Sequence, residues 1–416
     1  HMQGEKQYKT GLDVGSTTAK IVIIDESGQT VFSRYERHNA QVNDLLSAYF
    51  REARQELGDI ETSIAVTGSV GMGTAEQLRT EFIQEVVAAT RYAQQLYPSA
   101  SALIDIGGED AKVVLFQGNH IDLRMNGNCA GGTGAFIDQM AVLLGVDIEE
   151  LSRLALQAEH IHPIAARCGV FSKTDIQNLV SRNVPLGDIA ASIFHAVAVQ
   201  TIVTLSRGWT FHPPILLCGG PLTFIPALRK AFADYLHLQE SDFILPAGGN
   251  LLPALGCALC ATEEKAVSLS TLENLISRST NITTKNSLPP LFDSETDYDN
   301  WKKEKAHYNW PSAPLVQGIQ EAVLGIDSGS TTTKIVVTTP DGAILFSHYA
   351  PNLGNPIEAV RKGLTELKTQ CDKNGTVLNI TGSCSTGYGE ELIKAAFGLD
   401  GSMIETMAHY LSLIHI

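Results

Sequence analysis

The chain has 416 residues, 44% of them hydrophobic, with 45 acidic and 30 basic side chains and a formal net charge of −15. This length suggests two or three domains, and the apolar content is sufficient for sizeable cores. The acidic balance argues against nucleic-acid and anionic-lipid partners, and without an apolar run of about 18 residues no membrane-spanning helix is expected.

The amino-terminal part of the chain is predicted to be an α/β layer. Two β-branched strands are predicted over residues 8–24, on either side of a Gly/Ser/Thr turn, and a third over 29–35. An amphipathic helix over 41–57 and a strand that ends at Gly68 follow. This order of three strands, a helix and a strand is typical of a layered α/β fold.

A second set of elements begins at Ala102. Strands are predicted over 102–106, 111–116 and 215–217, and helices over 133–144, 147–158, 173–182, 187–207, 223–235 and 252–261, with Thr133 capping the first of them. Residues 281–318 are rich in Pro, Asn, Ser and Asp and have little periodicity. We interpret them as a linker, which Trp301 and Trp310 dock on a domain surface.

One phrase occurs twice in the chain. Residues 11–22 read GLDVGSTTAKIV and residues 325–336 read GIDSGSTTTKIV, 314 positions later. Thr67-Gly68-Ser69 recurs at the same offset as Thr381-Gly382-Ser383, which predicts two homologous lobes. The second copy reaches Ile416 without the later turns of the first, so we expect a fragment of a longer protein. The predicted domains are a complete one over 1–265, a linker over 266–320 and a truncated first lobe over 321–416.

Four glycine-rich turns follow strands in the first domain: DVGSTTAK, DIGGED, CAGGTG and CGGP. Backbone N–H groups and small hydroxyls of such turns can wrap phosphates, while a Lys adds charge and an acid holds hydrated magnesium. A single turn of this kind is more often a plain tight turn, so the ordered set of four is the informative signal. The set resembles the actin, sugar-kinase and heat-shock chaperone ATPase superfamily. That resemblance implies an actin-like, two-lobed α/β fold with ribonuclease H-like lobes.

The resemblance also assigns roles to residues of the turns. Asp13, through water, and Asp105 are expected on opposite sides of one magnesium nucleotide, and Glu109 or Asp110 is expected to orient the attacking water. Two alternatives remain open: Lys20 as a solvated strand residue and Asp110 as a turn cap. The expected nucleotide contacts are Gly15, Ser16, Thr17, Thr18, Lys20, Gly107, Gly108, Gly131, Gly132, Thr133, Gly134, Gly219 and Gly220.

Cys129 and Cys168 each precede a predicted helix. Helix N-termini lower thiol pKa values and favour the thiolate, which is the form that binds metal. Two such cysteines are half of a four-thiolate site, which a symmetric dimer would complete. The alternative is a pair of buried thiols that pack as small hydrophobic groups.

The other cysteines are given no catalytic role. Cys257 and Cys260 lie in an apolar helical run and are assigned to the core, Cys218 to a buried strand and Cys371 to a loop, while Cys384 is unassigned. The total of seven is odd and the amino end carries no secretion signal. This pattern indicates a reduced, cytoplasmic protein rather than a disulfide framework.

At the two cysteine motifs the chain resembles the ATP-dependent activators of 2-hydroxyacyl-CoA dehydratases and the ATPase subunits of benzoyl-CoA reductases. The pattern N-x-x-C-A-x-G-T-G matches residues 126–134, and C-x-V-F matches residues 168–171. The resemblance spans residues 10–262. It implies an anaerobic homodimer in which Cys129 and Cys168 of both subunits hold one 4Fe–4S cluster. ATP hydrolysis would then drive an electron from ferredoxin or flavodoxin to a partner dehydratase or reductase.

Two departures from the family pattern concern the partner rather than ATP use. Glu109 stands where many activators have Gln, and FSKTD at 171–175 replaces an acidic FAESE. The tandem arrangement resembles long multidomain activases. Two other functions are kept: a sugar or carboxylate kinase of the same superfamily with Asp105 as its base, and a nucleotide-dependent scaffold.

Overall fold

The computed structural model describes residues 7–126, 130–165, 169–262, 265–278 and 288–413. The chain divides into two compact units. The first comprises residues 1–139, 163–172 and 191–283, and the second comprises 140–162, 173–190 and 284–416.

The elements are as follows in chain order. The strands are β1 (Tyr8–Val14), β2 (Thr18–Ile24), β3 (Thr30–Arg37), β4 (Glu61–Thr67), β5 (Glu81–Phe82), β6 (Ala102–Ile106), β7 (Ala111–Gln117), β8 (His120–Asn126), β9 (Ile215–Cys218), β10 (Phe243–Ile244), β11 (Ala266–Ser268), β12 (Gly318–Ser328), β13 (Thr332–Thr338), β14 (Ile344–Pro351), β15 (Thr376–Thr386) and β16 (Gly401–Ser402). The helices are α1 (Val42–Leu57), α2 (Gly71–Leu78), α3 (Glu85–Leu96), α4 (Gly134–Leu144), α5 (Ile148–Ala155), α6 (Gly169–Ser181), α7 (Leu186–Ser206), α8 (Gly220–Phe224), α9 (Pro226–Leu236), α10 (Leu252–Cys260), α11 (Leu269–Ser277), α12 (Glu295–Ala306), α13 (Pro356–Asn374), α14 (Glu390–Phe397) and α15 (Glu405–Leu413).

The first unit contains two sheets. One has the order β11–β4–β1–β2–β3, with β5 added beside β4, and the other has the order β10–β9–β6–β7–β8. In both, a central strand pairs antiparallel with the next strand in the chain and parallel with a later one. The two central strands, β1 and β6, carry Asp13 and Asp105 near their carboxyl ends.

Apolar periodicity explains how helices cover the first sheet. On α1 the buried side chains Leu46, Tyr49, Phe50 and Ala53 recur at intervals of three and four, as on one face of a helix. They pack with Leu12 and its neighbours in one hydrophobic core.

The other face of this sheet is covered by α10. A Cβ at Gly11 would lie 1.9 Å from the carbonyl oxygen of Ala254, so only glycine allows this close packing. On its other side α10 meets α3, where a Cβ at Gly256 would lie 1.9 Å from the carbonyl oxygen of Ala88. Small residues thus let α10 lie between the sheet and α3.

The sheet of the second unit has the order β14–β13–β12–β15–β16. This repeats the order β3–β2–β1–β4–β5 of the first sheet, with the same parallel and antiparallel pairings. Its core contains Ile326, Ile335, Val337 and Val360, which are fully or almost fully buried. The phrase at residues 325–336 therefore forms the same hairpin as the phrase at 11–22.

The strand register corrects the predicted alignment of the two copies. Asp13 pairs with Thr67, whereas Asp327 pairs with Thr386 and not with Thr381. The acid and its paired threonine are 54 residues apart in the first copy and 59 in the second, and β15 has a register shift opposite Ala322 and Val323. The match of Thr67-Gly68-Ser69 to Thr381-Gly382-Ser383 at a constant offset is therefore wrong.

Glycine geometry supports the corrected alignment. Gly68 and Gly387 both have positive φ, 106° and 89°. A Cβ at Gly68 would lie 2.3 Å from the carbonyl oxygen of Val14, and one at Gly387 would lie 2.5 Å from that of Ser328. Both glycines follow the paired threonine and cross the end of the central strand.

Most predicted elements of the first domain are present, but two of its helices and the predicted linker differ from the prediction. The predicted helix 223–235 is two helices, α8 and α9, because Ile225 is extended before Pro226 (φ −113°, ψ 95°). Helix α6 begins at Gly169 rather than at residue 173. The predicted linker contains a helix, α12, whose N-cap Ser294 accepts a hydrogen bond from the Asp297 N–H.

The two tryptophans of the predicted linker are placed differently. Trp310 Nε1 donates a hydrogen bond of 2.6 Å to the carbonyl oxygen of Gly342, in the turn between β13 and β14. Trp301 instead packs beside Phe292 and Tyr298, inside the linker itself. The docking predicted for Trp310 is thus confirmed, and that of Trp301 is wrong.

Helix α7 is long and apolar enough to cross a membrane by length and composition. However, 72% of its most apolar 18-residue stretch is buried inside the protein. A buried core helix can have the same length and composition as a membrane-spanning helix, and this extent of burial is typical of a core helix.

Candidate functional site

The first glycine-rich turn, residues 15–18, is held from two sides. The Gly15 N–H donates to the carbonyl oxygen of Thr18 at 2.9 Å, which closes the turn between β1 and β2. His38 Nε2 lies 2.8 Å from the carbonyl oxygen of Gly15, and its Nδ1 accepts from the Ala40 N–H at 3.1 Å. Because one ring nitrogen accepts and the other donates, this imidazole is in the neutral Nε2–H tautomer. His38 therefore braces the turn without adding charge.

Lys20 is not a solvated strand residue. Its Nζ lies 2.8 Å from Asp13 Oδ2, and the two side chains are 14% and 6% exposed. Burial by itself lowers the pKa of Lys20, but the charge and hydrogen bond of Asp13 outweigh burial and raise that pKa above its usual value. Lys20 is thus a fixed positive charge beside the acid of the first turn.

The second turn, DIGGED, lies against the first. A Cβ at Gly108 would lie 2.0 Å from Thr17 Oγ1, so the two turns meet with no room for another side chain. The Gly107 N–H donates to the carbonyl oxygen of Asp110 at 2.8 Å, which closes the second turn. The structure therefore brings together the two predicted phosphate turns.

Lys112 is a site residue that the sequence reasoning missed. It is 5% exposed and forms ion pairs with Asp110, at 2.9 Å, and with Glu85, the first residue of α3. Burial by itself lowers the pKa of Lys112, but Asp105, Asp110 and Glu85 outweigh burial and raise it. The ammonium group therefore stays charged.

A spacing in the sequence could have revealed Lys112. Asp13 and Lys20 are seven residues apart and directly opposite on β1 and β2. Asp105 and Lys112 have the same spacing and the same position on β6 and β7. A lysine seven residues after the strand-end acid is thus a shared feature of the two hairpins.

The cluster carries more negative than positive groups. Four carboxylates, of Asp13, Glu85, Asp105 and Asp110, surround the two ammonium groups of Lys20 and Lys112. Burial raises the pKa of Asp105, and burial together with the charges of Asp13 and Asp110 raises the pKa of Glu85 to about 7 against the pull of Lys112. A further positive charge would therefore stabilise this cluster.

A hydrated magnesium ion would supply that charge. Among the described residues, no three His, Cys, Asp or Glu side chains are placed to hold a metal directly. Magnesium does not require such a cage, because it keeps several waters and binds one or two carboxylates together with phosphate oxygens. Asp13 and Asp105 fit that mode of binding.

Glu109 and Asp110 are placed differently. Glu109 is exposed to solvent, whereas the Asp110 carboxylate faces Lys112. The Asp110 Oδ1 atom occupies space that a Cβ on Gly107 would need, at 2.2 Å. Asp110 is therefore a constrained part of the second turn, and a water-orienting role for either acid stays a prediction.

The third turn is joined to the second by hydrogen bonds. The N–H groups of Gly134 and Ala135, in the first turn of α4, donate to the carbonyl oxygens of Gly107 and Gly108 at 2.9 and 2.6 Å. Of the other predicted contacts in this turn, Gly131, Gly132 and Thr133 are buried. The start of α4 therefore depends on the position of the second turn.

The fourth turn, CGGP, packs against β6, the strand of Asp105, and against β3. A Cβ at Gly219 (φ 89°) would lie 2.1 Å from the carbonyl oxygen of Ile106 and 2.5 Å from Asp105 Oδ1. A Cβ at Gly220 would lie 2.2 Å from the hydroxyl of Tyr35, on β3. All four turns thus converge on one region, while the predicted adenosine contact of the fourth stays a prediction.

The two cysteines predicted to bind a cluster, Cys129 and Cys168, lie outside the described residues. Cys257 is buried on α10 and burial raises its pKa, as expected for a core thiol. Cys371 is wrongly predicted to be in a loop, because it is buried on α13. Cys384 lies on β15 opposite Gly325, the position that Ala65 occupies in the first copy.

The first domain matches a known family. The family model of the BadF/BadG/BcrA/BcrD ATPases covers residues 10–261. The 2-hydroxyisocaproyl-CoA dehydratase activator of Clostridioides difficile is 28% identical over 273 residues, 64% of this chain and 100% of that protein. One subunit of the benzoyl-CoA reductase of Thauera aromatica is 24% identical over 236 residues, 55% of this chain and 83% of that protein.

Two solved structures resemble the same part of the chain. Component A of the (R)-2-hydroxyglutaryl-CoA dehydratase of Acidaminococcus fermentans has a TM-score of 0.54 at 25% identity and covers 61% of this chain and 97% of its own. The 2-hydroxyisocaproyl-CoA dehydratase activator from Clostridium difficile, with bound ADPNP, has a TM-score of 0.52 at 26% identity and covers 66% and 99%. These matches confirm the predicted actin-like fold and the resemblance to dehydratase activators. The chain therefore belongs to the BadF/BadG/BcrA/BcrD ATPase family.

Proposed function

We propose that this protein is an ATP-hydrolysing iron–sulfur activator, which passes a low-potential electron to a partner 2-hydroxyacyl-CoA dehydratase or related reductase. Relatives that carry these activator and reductase names support the proposal. We further propose a cytoplasmic homodimer that takes its electron from ferredoxin or flavodoxin. Cys129 and Cys168 of both subunits are the proposed ligands of one 4Fe–4S cluster.

The proposed link between the nucleotide and the cluster rests on one set of hydrogen bonds. The first two N–H groups of α4 bind the carbonyl oxygens of Gly107 and Gly108, and α4 follows Cys129 by a few residues. A shift of the second turn therefore moves the start of the helix beside this cysteine. Nucleotide state can act on the cysteine through this route because hydrogen bonds of 2.6–2.9 Å leave little slack.

A second contact ties α4 to the first lobe. The Arg37 guanidinium, at the end of β3, forms a bidentate pair with the Asp138 carboxylate of α4 at 2.7 and 3.1 Å. Helix α4 is thus attached to the second phosphate turn and, through β3, to the sheet that carries the first. We propose that relative movement of the two lobes rotates this helix.

The residues of the turns have proposed roles in ATP hydrolysis. Bound magnesium would neutralise charge on the phosphates. Lys20 and the backbone N–H groups of the first turn would orient the phosphate chain, beside the second turn that Gly108 brings against Thr17. Asp110, fixed by Lys112, is better placed than the exposed Glu109 to hold a water in one orientation.

Anaerobic purification followed by iron and sulfide analysis tests the proposal. We expect about four irons per dimer, loss of the cluster in Cys129→Ser and Cys168→Ser, and retention in the control Cys260→Ser, whose thiol lies on α10. ATP hydrolysis is expected to persist in the cysteine variants while electron transfer is lost. A wild-type protein without iron after anaerobic reconstitution would contradict the electron-transfer role.

A further inference from the structure

The second copy rebuilds the first turn outside the region that the family model covers. In the turn between β12 and β13 the Gly329 N–H donates to the carbonyl oxygen of Thr332 at 2.9 Å, as Gly15 does to Thr18. Asn352 Nδ2 donates to the carbonyl oxygen of Gly329 at 2.6 Å and takes the place of His38. Asn352, just after β14, thus holds the turn of the second copy as His38, just after β3, holds that of the first.

The acid and lysine of the turn are also present. Lys334 Nζ lies 2.9 Å from Asp327 Oδ2 and 5.9 Å from the ring centre of Tyr349. In the first copy the corresponding distances of Lys20, to Asp13 and to the Tyr35 ring, are 2.8 and 5.7 Å. The geometry of the two charged hairpins is therefore nearly the same.

The pair in the second copy is partly open to solvent, unlike the pair in the first. Asp327 and Lys334 are 32% and 37% exposed. An ion pair at this exposure adds about 0–1 kcal/mol to stability, so folding alone does not account for the arrangement. Both charges remain accessible to a ligand.

Unpaired hydroxyls provide a second, independent observation. Thr67 Oγ1 and Thr386 Oγ1, each on the strand beside the acid, are buried without a hydrogen-bond partner in the described structure. Ser328 Oγ, next to Asp327, is also buried and unpartnered among the described residues. A buried hydroxyl without a hydrogen-bond partner costs free energy. Because Thr67 and Thr386 occupy equivalent positions, this repeated cost indicates that a ligand or water binds at both turns.

We propose that the second copy is a further binding site for the magnesium-bound phosphate chain of a nucleotide, formed by the turn 329–332 with Asp327 and Lys334. This inference rests on the phosphate-binding function proposed for the first turn. In the described part of the second unit, no counterpart of Asp105 or Lys112 faces this turn. We therefore expect affinity at least about tenfold weaker than at the first site, since fewer charge-assisted hydrogen bonds are available.

Calorimetric titration of the full chain with magnesium and ADPNP tests the inference. We expect one tight and one weak class of site, with the weak class abolished by Asp327→Asn and unaffected by the control Asp341→Asn, an exposed acid on the next turn. Circular dichroism and thermal melting verify that each variant is folded. A parallel titration with magnesium pyrophosphate should fill the same weak site if the phosphates alone are recognised.

The outcomes separate this inference from the proposed function. A wild-type protein with only the tight site, or a weak site that survives Asp327→Asn, overturns the inference and leaves the first site intact. A tight site that survives Asp13→Asn instead overturns the assignment of the first turn. Loss of the weak pyrophosphate signal in Asp327→Asn, with the tight ADPNP site retained, supports the second site.

Discussion

Replacing Lys112 by methionine tests whether one buried ammonium group holds the acidic cluster together. Methionine keeps most of the apolar stem and removes the charge. Lys112 is 5% exposed and pairs with Glu85 and Asp110, with Asp105 opposite on the next strand. Removing one partner of a buried pair costs about 3–5 kcal/mol, because the remaining charge is uncompensated. We expect the free energy of unfolding to fall by about 3 kcal/mol at pH 8, because proton binding by the carboxylates partly compensates for the lost positive charge.

The loss should depend on pH. The pKa of Glu85 is about 7 in the fold against 4.5 for the free side chain. The folded state therefore binds the proton more tightly, and this group's contribution to stability falls as pH rises from about 4.5 to about 7, by at most about 3 kcal/mol. Without Lys112 that pKa rises further. The destabilisation should thus be smaller at pH 6 than at pH 8.

Urea denaturation at both pH values measures these differences. The matched control is Lys230→Met, because Lys230 forms an exposed pair with Asp234, with side chains 57% and 61% exposed. Its removal should cost less than about 1 kcal/mol at either pH. If Lys112→Met costs no more than this control at pH 8, the buried cluster is not held by Lys112 and the electrostatic argument fails.

Three further predictions concern the same site. Glu85→Gln should flatten the fall in stability between about pH 4.5 and 7, and a pH profile of urea midpoints unchanged from wild type would contradict this. Gly219→Ala should weaken nucleotide binding and should destabilise the fold more than Gly208→Ala. Gly208 has a similar positive φ (86° against 89°) but open space where its Cβ would lie, so equal melting temperatures of the two variants would refute the clash. Arg37→Gln should preserve ATP hydrolysis but lower the number of electrons transferred per ATP, and the double variant Arg37→Asp with Asp138→Arg should restore that number. An unchanged number of electrons per ATP in Arg37→Gln would exclude a role of the Arg37–Asp138 pair.

Local patterns predicted the phosphate turns and most elements of the first domain. The turn at residues 15–18 and its flanking strands follow from β-branched runs around Gly, Ser and Thr, which are strong local signals. Helix α1 follows from the period of its apolar residues. The exclusion of water from Lys20 was not predictable in this way, because it depends on packing between distant segments.

The residues that the sequence reasoning missed act at long range. Glu85 begins α3 and meets Lys112 only in the folded chain. The true counterpart of Thr67 was hidden because the segment between Asp327 and Thr386 is five residues longer than that between Asp13 and Thr67, and one of the five is a register shift in β15. The chance match at Thr381 was therefore more visible than Thr386. A constant offset in sequence therefore established the repeat of the hairpin but not the pairing of the strand that follows it.

Three acid–lysine hairpins in this chain differ in burial, and that difference indicates how each can respond to a ligand. The Asp13–Lys20 pair is almost fully buried, and Lys112, opposite Asp105, pairs with two further carboxylates. Charges in such surroundings interact strongly, so under the proposed function bound phosphate and magnesium would change the forces within this cluster. The partly exposed pair of Asp327 and Lys334 is screened by solvent, so a ligand bound there would have little consequence for the fold. We therefore propose that coupling to helix α4 depends on the first two hairpins, while the third serves recognition alone.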